Sequence, residues 1–246
     1  ILPNTAEGNL QWKQRVDDKG RPIPIQVKSV EDAVRLVLEG KVVELPDTGK
    51  VATTLNKLWD MVQEAKKAGK EAPKFDLCNV TVAGTNLFCI EKLRSEEYPD
   101  GVPRIKMPQI GGKPVPGTKA DKLERNWFDK SEVDGAAEFK RYLIEDLGIG
   151  IVEEKVPASS LKASQAELVG GKVLAMMADK KFNPATNPVF ISKDNYIVDG
   201  HHRWAAVVGR DIEGGELGKL EMNVVRVDAP ISELLHLANA WSKEFG

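Results

Sequence analysis

The chain has 246 residues, 41% of them hydrophobic and 29% charged, with 35 Lys and Arg against 37 Asp and Glu. That balance belongs to a folded globular chain, one large domain or two small ones, and excludes a disordered tail; nothing in it demands nucleic acid as a partner. No run of about 18 or more apolar residues occurs, so no membrane-spanning helix is expected, and "ILPNTAEGNLQWKQ" lacks the basic and apolar stretches of a secretory signal.

In chain order, residues 1–100 read as an accessory region of helices and short strands. "SVEDAVRLVLEGK" (29–41) opens on Ser29 with Asp32 three residues later and stops at Gly40, which predicts a capped helix. "VATTLNKLWDMVQEAKKAGK" (51–70) places Leu55, Leu58, Trp59 and Val62 at helical spacing and ends on Lys, Lys and Gly69. Residues 76–93 predict a short strand pair turning at Gly84-Thr85-Asn86. They also hold both cysteines, Cys78 and Cys89, read as reduced, packed thiols. The segment around "RIKMPQIGGKPVPG" is rich in Pro and Gly, so 101–130 reads as a loop or linker in which Arg104, Lys106 and Lys113 could touch phosphate.

From 131 to 246 the texture changes to alternating elements. The pattern predicts helices over 131–148 and 164–180, and a strand over 149–157. A hairpin, "NPVFIS" to "YIVDG", turns at Lys193-Asp194-Asn195. A helix in "HHRWAAVVG" stops at Gly209, a strand covers 220–228, and a last helix carries His236. The sum is an α+β (α/β) fold with helices packed on a mixed sheet.

The chemistry concentrates at "YIVDGHHRWAAVVG" (196–209), which holds two of the three histidines beside an arginine. Val198 ends a strand, Gly200 permits a sharp turn, and His201, His202 and Arg203 fall in the first turn of a helix. Unpaired N–H groups and the positive end of the helix dipole favour an anion there. Arg203 adds a fork matched to phosphate oxygens, and imidazoles donate hydrogen bonds or move protons near neutral pH. Asp199 could hold a metal ion, orient an imidazole or cap the helix. Trp204, Ala205 and Ala206 read as core.

"VDGHHRWAA" resembles the signature of the ParB/sulfiredoxin superfamily, in which a strand, a Gly turn and an Arg-bearing helix start bind nucleotide. Sulfiredoxins carry Gly-Cys-His-Arg; His201 stands here in place of their Cys, so their sulfur chemistry is not expected. Chromosome-partition ParB proteins carry Gly-Glu-Arg-Arg. The Asp-Gly-His-His-Arg form is similar to that of ParB-like small-molecule kinases such as the free serine kinases. "RIKMPQ" (104–109) resembles a segment of phage-encoded ParB-like proteins.

The resemblance implies a ParB/sulfiredoxin-like sheet preceded by the accessory region. It also implies ATP or ADP with Mg2+, bound by Asp199, Gly200, His201, His202, Arg203 and Gln165, with Asp199 as metal ligand. In "VPASSLKASQAEL" (156–168) Glu167 becomes the candidate general base for an acceptor hydroxyl, joined in catalysis by His201 and His202. Ser164-x-x-Glu167 is equally a capping box. The implied function is an ATP-dependent phosphotransferase or nucleotide hydrolase acting on a small-molecule or macromolecular phosphate acceptor. Its implied place is the cytoplasm of a bacterial or phage-infected cell, or a virion. The alternatives are a ParB-like nuclease or DNA-binding module, and a phage accessory or toxin domain without turnover.

Overall fold

The structure is a computed structural model describing residues 13–82, 92–99, 101–108, 110, 135–185, 188–214 and 218–245. In chain order its strands are β1 (Arg15–Val16), β2 (Pro22–Ile23), β3 (Ile25–Gln26), β4 (Val43–Leu45), β5 (Val80–Val82), β6 (Ile151–Pro157), β7 (Val189–Ser192), β8 (Ile197–Asp199) and β9 (Glu221–Val227). Its helices are α1 (Val30–Leu38), α2 (Thr48–Lys67), α3 (Gly135–Arg141), α4 (Gly170–Ala178), α5 (His201–Glu213) and α6 (Ile231–Phe245). The fold is mixed α/β, and among the described residues no helix is long and apolar enough to cross a membrane. The chain forms two compact units: 1–90 with 167–182 and 205–217, and 91–166 with 183–204 and 218–246.

In the first unit β3, β4 and β5 lie side by side in that order, all parallel. Parallel neighbours need crossovers, supplied by α1 and α2. Successive right-handed crossovers along one direction of a sheet put both helices on one face, which agrees with α1 packing on α2.

The caps explain where these helices begin and end. Ser29 Oγ accepts the Asp32 N–H at 3.2 Å, and Asp47 accepts the Lys50 N–H at 2.8 Å. Gly40 (φ 81°) ends α1 as the Lys41 N–H reaches back to Leu36 O at 2.9 Å, a backward turn that glycine adopts without a Cβ penalty. Leu36, Val37, Leu55, Leu58, Val43, Leu45 and Val80 fill the layer between helices and sheet.

Helix α4 packs on α2 through two glycines: a Cβ on Gly170 would run into Leu55, and one on Gly171 into Asn56. Its last carbonyls find a partner in Arg210 of α5. That guanidinium donates to Met176 O (3.0 Å), Met177 O (3.1 Å), Asp179 O (2.6 Å) and Phe182 O (3.3 Å).

The second unit holds a four-stranded mixed sheet in the order β6-β9-β7-β8. Strand β6 runs antiparallel to β9, β9 parallel to β7, and β7 antiparallel to β8. The β7–β8 turn puts Asn195 at φ 70°, and the Arg226 guanidinium holds it by donating to Asn195 Oδ1 at 2.6 Å. Beyond β8 the backbone of Lys162 pairs with Tyr196, and Ala163 and Gln165 pair in turn with Lys92 and Val102. The core gathers Phe139 and Leu143, Phe190, Val225 and Val227, Leu234, Ala238 and Trp241, together with Leu93, Val102, Met107 and Ile110. Helix α3 loosens into a π-turn over Tyr142–Asp146 before Gly148 (φ 67°) ends it.

Three expected elements differ. The helix expected over 164–180 starts only at Gly170, because Ser164 and Gln165 are drawn into extended pairing beside β8 and Val102. The helix expected to stop at Gly209 runs on to Glu213. Gly209 is an interior residue where a Cβ would meet the Met177 side chain, so it marks close packing rather than an end. Of the strand pair expected over 76–93, β5 supplies one strand and the span of the other lies outside the described residues, while the short strands β1 to β4 were not expected. The turn at Gly84-Thr85-Asn86, Cys89, Gln109, Lys113 and residues 111–134 lie outside the described residues.

Candidate functional site

Strand β8 ends at Asp199 and α5 begins two residues later, with Gly200 between them at φ 100°. The Gly200 carbonyl accepts the Trp204 N–H at 3.0 Å, so Gly200 is the N-cap and His201, His202 and Arg203 are the first three helical residues. Glycine is required twice over. Its φ is one that L side chains rarely adopt, and a Cβ would strike Val189 and sit 2.9 Å from Arg203 Nη2. The second contact locates the guanidinium, which folds back over the turn toward Asp199, 3.9 Å away.

Asp199 stands one residue before the N-cap, and its carboxylate accepts the Gly200 N–H. Burial pushes its pKa up, while the Arg203 charge and that hydrogen bond pull it down. His202 and Arg203 are half-buried at the helix start. Among the described residues no group of three or more His, Cys, Asp and Glu side chains gathers into a metal cage.

His201 points the other way. It is 3% exposed, and its Nε2 accepts the backbone N–H groups of Ser164 and Gln165, each at 3.1 Å. With Nε2 accepting, the proton of the neutral ring belongs on Nδ1. Burial, helped by His202 alongside, lowers its pKa from 6.5 to about 3. At neutral pH this imidazole is an uncharged acceptor inside the protein. Its work is to fasten the Ser164–Gln165 backbone beneath the first turn of α5.

Ser164 reinforces the same joint, its hydroxyl donating to Ile197 O. Trp204, one turn on, packs edge-on to the His201 ring and donates from Nε1 to Ala158 O at 2.8 Å. Sequence reasoning missed Ser164 in this role because its spacing to Glu167 reads as a cap; in the fold Ser164 caps no helix. Gln165 is buried at the joint, and Glu167 is half-buried and belongs to the first unit. Arg104 and Lys106 lie on a short 3-10 turn, and His236 is exposed.

The joint therefore gathers at one helix start a glycine turn, backbone N–H groups, one guanidinium, one imidazole and one carboxylate. No family model, no curated protein and no solved structure matches the chain.

Proposed function

We propose that the second unit binds the phosphates of a nucleotide at Gly200–Arg203 and that the protein is an ATP-dependent phosphotransferase or nucleotide hydrolase of the ParB/sulfiredoxin kind. The observation that carries this reading is the Gly200 turn at φ 100°, which brings the Arg203 guanidinium over the N-terminus of a 13-residue helix. Backbone N–H groups, a helix dipole and a planar cationic fork converging on one spot make a donor set suited to phosphate oxygens.

The residues fit the group that the reading requires. Arg203 neutralises phosphate charge and His202 donates or relays a proton at its ring nitrogens. His201 holds the floor of the turn from inside. Asp199 supplies one carboxylate, enough for Mg2+ that is held mostly by nucleotide oxygens and water. Bound MgATP would supply the transferable phosphoryl group. Glu167 carries no part of this reading.

The test is thermal denaturation with and without MgATP. At about 100 times the dissociation constant, binding stabilises by about 2.7 kcal/mol, a rise of several degrees in Tm. Arg203→Ala is expected to abolish the rise and His202→Ala to reduce it. A melting curve unmoved by millimolar MgATP sinks the proposal, and salt-sensitive retention on DNA in its place would favour a nucleic-acid module.

A further inference from the structure

The helix start that gathers donors for an anion already holds an anion of the protein's own. The Asp199 carboxylate accepts the Gly200 N–H, and its Oδ2 lies 3.9 Å from Arg203 Nη2. Only 27% of the Asp199 side chain and 24% of the Arg203 side chain are exposed, so the two charges are screened less than a pair on an open surface. The turn itself imposes the pairing. At φ 100° Gly200 leaves room for the guanidinium to fold back, where a Cβ would stand 2.9 Å from Arg203 Nη2.

Three features favour a phosphate here: a backbone N–H, the positive end of the α5 dipole and the Arg203 fork. Each of them already serves Asp199. A bare oxyanion entering the turn must take Arg203 from Asp199 and then sit beside a like charge, two costs of the same sign. With a divalent cation on the phosphates, Asp199 changes from competitor to ligand and Arg203 is released to the phosphate oxygens.

We propose that Asp199 is a specificity-determining residue, an internal competitor that excludes bare oxyanions from the Gly200 turn and admits phosphate groups carrying a divalent cation. This selection rests on the nucleotide reading of the same turn and adds to it the form of phosphate ligand accepted and the residue that selects it.

Titration calorimetry of the full chain tests it, with ATP in EDTA and ATP in excess Mg2+, on the wild type, Asp199→Asn and Arg203→Ala. Asparagine keeps the side chain's size and an oxygen for the Gly200 N–H but removes the charge. The wild type should bind metal-free ATP about tenfold or more weakly than MgATP. D199N should bind metal-free ATP about tenfold more tightly than the wild type does, a gain that misfolding cannot produce. Its preference for MgATP should shrink by the same factor or more. R203A should bind neither form. If MgATP binding depends on Arg203 but D199N gains nothing for metal-free ATP, the role of Asp199 is overturned and the nucleotide reading stands. If the wild type and D199N bind neither form, both are overturned.

Discussion

His201 is buried, neutral and an acceptor, and each property has a measurable consequence. In the unfolded chain its ring takes a proton near pH 6.5, whereas the folded ring resists until about pH 3. Between those values the unfolded state binds more protons, so its contribution is complete above pH 6.5 and is lost as pH falls, at about 1.4 kcal/mol per pH unit. Urea midpoints at pH 7 and pH 5 should differ in that sense, and equal midpoints would contradict the assignment. His201→Ala strands two N–H groups and should cost about 2–4 kcal/mol. Gly200→Ala combines an unfavourable φ with a collision at Val189 and should cost about 2 kcal/mol or more, measured by the same denaturation. The Asp-Gly-His-His-Arg string made the turn and the helix start legible. Which histidine faces inward was not, because neighbouring helical residues point about 100° apart and only the packing of Ser164–Gln165 against the turn chooses between them.

Among the elements, α4 depends on a residue far along the chain. It ends without a glycine of positive φ, and Arg210 of α5 takes over the carbonyls that such a glycine would have arranged. Arg210→Ala should therefore destabilise the first unit by about 1–3 kcal/mol and speed amide exchange over 170–182. Lysine should restore only part of this, having no planar fork to reach several carbonyls at once. Helices with local caps, α1 and α2, were readable from Ser29, Gly40 and Gly69 because the signal and its partner lie within one turn. Helix α4 was misread at its start because a tertiary competitor, the strand-like pairing of Ser164 and Gln165, overrode the local capping pattern. Gly209 misled for a related reason: the same residue type serves a helix end and a close approach, and only the neighbouring Met177 distinguishes them.

For the whole molecule, composition and alternation made the mixed α/β class legible but not the discontinuous units, since nothing local marks a chain that leaves a unit and returns to it. The second unit's core draws on Leu93, Val102, Met107 and Ile110 as well as on residues after 131. A fragment covering 131–246 lacks those side chains and the Val102–Gln165 pairing. It should show a broad, non-cooperative melt in calorimetry, and a sharp transition matching the full chain would count against this account. The order of strands has a further consequence, for synthesis rather than stability. Strand β9 is the last of the sheet to leave the ribosome, yet it lies between β6 and β7 and is the strand paired to β6. The β7–β8 hairpin can form as it emerges, but β6 waits, its ladder unmade, until Glu221–Val227 has been added. During that interval the growing chain exposes both edges of β6, and this is when a chaperone has most to protect.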